Sequence, residues 1–438
     1  MNRIPALYAL HRFRPANTVR LTSRLLATGI AACAGTFGAA VSESADPNAE
    51  QDRSYEIEYV VKPDVDAGGA WVEMRLAQAS ALLREVDMRA PSDTIRSASG
   101  DGKISVADER LVWQPPERGG RLRWFARIDH ERDSGTYDAH IESRWAIFRA
   151  EDVIPQARTR TLRGAVSKTT LSFDLPSGWS SVTEYFGREH SYRIVNRQRR
   201  FDRPAGWIIL GQIGVRYDRV AGIRVNVVAP TGHGMRRNDI LALLNWSLPE
   251  VLRMFPGFPD RLTIIGAGDP MWRGGLSGPR SLYIHTERPL ISENGTSSLL
   301  HEIVHIAVGR SAANGMDWIV EGLAEYYSLV ILHRSGTISD RRFTAAMRKQ
   351  AEWGSSVRKL CRVASGGAVT ARAVTIMAAL DAEIRAKSDG ENSLDDILAK
   401  LASSDEDLTL EHFTGLARQM IDSSPAALRP AKLPGCGT

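Results

Sequence analysis

His301 and His305 stand four residues apart, with Glu302 directly after the first, in Ser298-Leu299-Leu300-His301-Glu302-Ile303-Val304-His305. The apolar flanks predict a helix, and on a helix a spacing of four places two side chains one turn apart on one face. Two imidazole nitrogens so placed suit a single Zn²⁺. Glu302 then points at the open coordination position, where a carboxylate serves as general base toward a metal-acidified water. A third protein ligand is required. The segment Asp317-Trp318-Ile319-Val320-Glu321-Gly322-Leu323-Ala324-Glu325-Tyr326-Tyr327 supplies it after the Asn314-Gly315 turn, which lets a second helix fold back on the first. Glu321 is the expected ligand. Glu325, one turn further on, is expected to hold a histidine N–H, or else to replace Glu321 at the metal.

The surrounding pattern must position these groups. From residue 54 to about 225 the chain alternates in short segments bounded by Gly, Pro and Asp, as in Tyr55-Ile57-Tyr59, and this predicts an all-β, sandwich-like N-terminal domain with Trp113, Trp124, Trp145 and Trp179 as core. Residues 226–430 change period. A helix capped at Asn238-Asp239 and tolerating Pro249, strands at Leu262–Ile265 and Ser281–His285, and helices near Thr296, Ala373–Ile384 and Leu394–Leu401 predict an α+β domain ending in helices, followed by a tail, 431–438. The basic cluster Arg197-Gln198-Arg199-Arg200 reads as a solvated turn.

Composition narrows the partners. The 438 residues carry 56 Lys+Arg against 51 Asp+Glu, for a net charge of +5. Arg3, Arg12, Arg14, Arg20 and Arg24, against Glu43 alone, lie in residues 1–45, so the rest of the chain is nearly neutral and nucleic-acid binding is not expected. Residues 1–45 have the anatomy of a signal peptide, basic and then apolar from Leu25 to Val41, and 46–53 read as a linker. Ile30-Ala31-Ala32-Cys33 is similar to a lipobox, the alternative in which a lipid on Cys33 anchors the protein to the envelope. Export to the periplasm or beyond is expected, with membrane contact only through such an anchor or an uncleaved leader. Cys361 and Cys436 then remain as a candidate disulfide, or as two free thiols.

In its motifs the chain resembles the gluzincin metallopeptidases, and within them the glycyl aminopeptidase family. H-E-x-x-H is followed by Trp318-Ile319-Val320-Glu321-Gly322 and the Tyr326-Tyr327 pair, and Ala379–Arg385 with Ser393–Leu398 are similar to that family's L-L-D-x-x-I-R and S-L-D-D-V-L segments. The resemblance implies a β-rich domain before a thermolysin-like catalytic domain, one zinc per chain, and a peptide or protein substrate. No PDZ-like domain is expected. Two departures stand out. The family's G-G-L-E-H loop reads Gly274-Gly275-Leu276-Ser277-Gly278 here, so Ser277 replaces the glutamate implied to bind a free amino terminus, while Gly275 and Ser277 still line the expected substrate path. The tyrosine implied to stabilise the oxyanion should fall near Thr370, leaving Tyr283, His285, His333 or His412 as substitutes. The expected activity is peptide hydrolysis; the alternative is a zinc-bearing peptide- or protein-binding module with impaired turnover.

Overall fold

A computed structural model describes residues 53–196, 200–404 and 406–436; the leader with Cys33, and Arg197 to Arg199 of the basic cluster, lie outside the described residues. Alternation in the first β segment produces the strand Ser54–Asp64, with Tyr55, Ile57 and Tyr59 all buried. It runs parallel to Val166–Phe173 and antiparallel to Gly69–Ala77, at the centre of a seven-stranded sheet. A four-stranded and a five-stranded sheet complete the β-rich part, whose core holds Trp113, Trp124 and Trp179. Each large side chain removed from water there contributes roughly 1.5–3 kcal/mol.

A further five-stranded sheet begins the second part. Its spatial order is Ile213–Val220, Ile223–Pro230, Arg261–Ala267, Ser281–His285, Gly275–Ser277. The three central strands are parallel and the outer two antiparallel. Every residue of Arg261–Ala267 is buried, as expected of a strand covered on both faces. The helix Arg237–Met254 contains Pro249 as expected, but it starts ahead of the predicted Asn238-Asp239 cap and has no side-chain cap. Its first turn is instead tied to the sheet by Arg237, which donates to the carbonyls of Gly214 and Ala229.

Six further helices follow: Ser298–Val308, Asp317–Arg334, Asp340–Gly354, Ala368–Lys387, Leu394–Ser403 and Leu410–Ile421. They share the largest apolar cluster with this second-part sheet. A smaller cluster joins the two parts through Trp145 and Trp207 on one side and Val228, Ile265 and Tyr283 on the other. Among the described residues no helix is long and apolar enough to cross a membrane.

Cys361 and Cys436 are disulfide-bonded across a sequence separation of 75, fastening the C-terminal segment beside the loop after Asp340–Gly354. Closing a loop of that length removes roughly 4 kcal/mol of chain entropy from the unfolded state. Cys361→Ser is therefore expected to lower unfolding free energy by about 2–4 kcal/mol in a denaturant titration. An unchanged midpoint and slope contradict this account.

Candidate active site

Ser297 caps the motif helix by accepting from the Leu300 N–H at 3.3 Å. Leu299, Leu300, Ile303 and Val304 bury its apolar face, which fixes the rotation of the helix and leaves His301 and His305 together on another. The next helix is immobilised from several directions. Trp318 is fully buried, the Tyr326 hydroxyl donates to Asp381 Oδ2 at 3.2 Å, and Tyr327 donates to Asp395 Oδ1 at 2.9 Å. Asp381 also accepts from the Leu394 N–H at 2.8 Å and from Arg385 at 3.0 Å, and Asp395 pairs with Arg334 at 2.6 Å. The tyrosine pair and the two aspartate-bearing segments are thus one buried brace. Gly322 completes it, because a Cβ at this position would sit 2.6 Å from the Ala373 Cβ where the two helices touch.

The brace brings the predicted ligand atoms together. His301 Nε2 and His305 Nε2 are 3.0 Å apart, and Glu321 oxygens lie 3.4 Å from the first and 3.2 Å from the second. Bonds of about 2.0–2.1 Å to a tetrahedral zinc require ligand-to-ligand edges of roughly 3.3 Å. Each Glu321 oxygen faces a different imidazole, and one ligand atom from each of the three residues lies within 4.8 Å of the other two, so the group has the donor types and the proximity that a zinc site needs. Glu325 Oε2 lies 3.0 Å from His301 Nδ1, an arrangement that puts the imidazole proton on Nδ1 and leaves the Nε2 lone pair free for a metal. Gln350 donates to the other Glu325 oxygen at 3.3 Å. Sequence reasoning missed Gln350; a buried glutamine on the otherwise solvated Asp340–Gly354 helix was its one signal.

Glu302 is 7% exposed. Burial raises its pKa, opposed by the charges of His301 and His305 and by a hydrogen bond with the Ser277 hydroxyl. Burial also opposes ionisation of Glu321, but its interactions with His301 and His305 outweigh it and hold that carboxyl far below its usual range. The Gly275–Ser277 strand closes over Glu302, and Gly275 must lack a side chain there: its Cβ would lie 2.8 Å from Glu302 Cγ.

These groups share a cavity of about 1210 Å³, lined by His301, His305, Glu302, Glu321, Glu325, Gly275 and Ser277. Tyr283 does not reach it. Its strand is interior to the sheet, so its side chain is fully buried in the cluster joining the two parts, and its hydroxyl donates to the Trp272 carbonyl at 3.1 Å. The other proposed oxyanion donors are also engaged elsewhere: His285 is buried near Asp269, His333 pairs with Asp340 at 2.6 Å, and His412 lies against the Asp407 carbonyl. Among the described residues lining the cavity there is no tyrosine, and no histidine beyond the two of the motif. Thr370 does line it, with its hydroxyl unpartnered.

No protein-family model and no curated protein matches the chain. Solved structures do. An aminopeptidase N family protein from Idiomarina loihiensis is 15% identical, with a TM-score of 0.60 over 79% of this chain and 70% of that one. The M1 zinc metallopeptidase from Deinococcus radiodurans is 14% identical, with a TM-score of 0.57 over 88% and 94%. Native yeast LTA4 hydrolase is 12% identical, with a TM-score of 0.53 over 85% and 65%. The fold is that of the M1 zinc metallopeptidases, a β-rich part followed by a helical one. The motif resemblance drawn in sequence thus leads to the wider gluzincin architecture.

The helix contact at Gly322 gives a direct test. Gly322→Ala forces the Asp317–Arg334 and Ala368–Lys387 helices apart, at a cost of about 1–3 kcal/mol. Chemical denaturation should register that loss together with weakened zinc affinity. Wild-type values for both contradict the brace.

Proposed function

We propose that the protein is an exported zinc metallopeptidase in which His301, His305 and Glu321 hold one zinc ion and Glu302 is the general base. The reading rests above all on the convergence of His301, His305 and Glu321 ligand atoms in one place, with Glu302 alongside. When bound, zinc supplies a Lewis acid that polarises a carbonyl and acidifies water. Glu302 takes the proton of the attacking water and returns it to the leaving amine. The close backbone at Gly275 confines the Glu302 side chain. Glu325, held by Gln350, orients His301. The Gly275–Ser277 strand is an edge strand lining the same cavity, a geometry suited to adding an extended peptide as a further strand. The M1 fold supports peptide substrates, and the disulfide supports an oxidising, extracytoplasmic compartment.

Within this class the motifs favour a diverged relative of the glycyl aminopeptidases that does not require a free amino terminus. Of the four described carboxylates lining the cavity, three have a protein partner: Glu321 the two histidines, Glu325 His301 and Gln350, and Asp317 the Ser365 N–H at 2.5 Å; the fourth, Glu302, is the base of this reading. Glu287, outside the lining, pairs with Arg273 at 3.1 Å. A substrate ammonium would enter without a counter-ion, and burying an unpaired charge is costly.

Glu302→Gln is expected to lower kcat by about 100-fold or more while zinc content stays near one per chain. Full activity in this variant, or cleavage insensitive to chelators, removes the peptidase reading; loss of zinc removes the division of roles. Paired assays of one peptide with free and acetylated amino termini should show the acetylated form cleaved at least as well. A strong preference for the free amine contradicts the account of Ser277.

A further inference from the structure

Away from the metal, a second cavity of about 370 Å³ lies where the Ser180–Val182, Phe186–Arg188 and Ser191–Ile194 strands meet the hairpin Ile213–Pro230. Its lining shares no residue with that of the metal cavity. Arg261, the first residue of its strand, lines it and is only 8% exposed. The Arg261 guanidinium stacks on the Phe186 ring at 3.2 Å from the centroid, and its Nε is buried without a hydrogen-bond partner. Arg224, paired with Arg261 across the parallel strands, lies over the same ring at 3.9 Å.

Counting charges isolates Arg261. Five charged groups act on one another here, three arginines and two acids. Asp260 is taken by Arg224 at 3.0 Å. Glu184 is taken by Arg280 at 3.2 Å and by the Ser281 hydroxyl at 2.8 Å. No described carboxylate lies within ion-pairing distance of Arg261. Burial, and after it the Arg224 charge, push its pKa down to about 10, so it remains a cation at neutral pH. Asp218 also contributes to the lining, but it alternates to the strand face opposite Tyr217 and accepts from the Arg219 N–H at 2.7 Å. An unpaired buried cation is costly, and an anion seated beside it offsets that cost.

The structure assigns this cavity as a binding site for a small organic carboxylate, held by Arg261 with the Asn226 side chain beside it. A single guanidinium without a carboxylate partner suits a monoanion, and the Asp218 carboxylate on the same lining disfavours a dianion such as phosphate. A guanidinium fork accepts a carboxylate edge-on. Phe186 and the 70% exposed Tyr217 offer aromatic surface to the body of the ligand. The volume falls at the small end of ligand pockets, enough for an amino-acid-sized or benzoate-sized molecule.

The test is calorimetric titration of the zinc-loaded full chain with benzoate, and separately with inorganic phosphate, at pH 7 and constant ionic strength. One saturable benzoate site per chain is expected, with phosphate weaker. Arg261→Met should weaken benzoate binding at least tenfold without changing zinc content. Because Arg261 is buried, a second variant guards against misfolding. Arg224→Gln, at a half-buried position, frees Asp260 to neutralise Arg261 and should likewise weaken binding tenfold. Adding Asp260→Asn to it should restore affinity to within about threefold. Absence of saturable benzoate binding, tighter binding of phosphate, or failure of Asp260→Asn to restore affinity overturns the assignment.

Discussion

Two imidazole nitrogens on one helix and a carboxylate on the next must be held together, the nitrogens 3.0 Å apart and each Glu321 oxygen 3.2–3.4 Å from a different one, and the brace in the helical part serves that spacing. Two imidazoles and a carboxylate at such distances tolerate little error, since a displacement of one ångström separates a tetrahedral edge from a simple surface contact. The motif helix alone sets only the two histidines. The Glu321 position depends on how closely the following helix approaches, and that is decided by the bare Cα of Gly322 against Ala373 and by the two tyrosine–aspartate bonds beyond it.

The same economy of space governs the other wall of the site. Gly275 brings an edge strand against Glu302 at a distance no side chain permits. Glu302, that edge strand and the His301–His305–Glu321 group thus line one cavity. The β-rich part contributes by covering the back of the second sheet. Trp145, Trp207 and Tyr283 pack between the two parts, so the strand that carries Tyr283 is held from behind while its neighbour faces the site.

Much of this was legible in the sequence because it rests on local periodicity. The spacing of His301 and His305 dictates a shared helix face; Ser281–His285 has the bounds read from its residues; Glu321 and Glu325 divide into a member of the three-ligand group and the partner of His301 Nδ1 because they lie one helical turn apart. Contacts set by packing between distant segments were not legible. Tyr283 read as a donor for the site, but its interior position in the sheet directs it into the core. Gln350 reaches Glu325 from a helix whose approach no local pattern encodes. The start of the Arg237–Met254 helix was misplaced because Arg237 anchors it through tertiary hydrogen bonds in place of a local cap.

Anomalous diffraction at the zinc edge, from crystals of the full chain, tests the central claim most directly. The account predicts one strong peak within about 2.0–2.2 Å of His301 Nε2, His305 Nε2 and a Glu321 oxygen, with Glu325 retained on His301 Nδ1. A peak that includes Glu325 in place of Glu321, or zinc-replete crystals with no peak between the two helices, would contradict it.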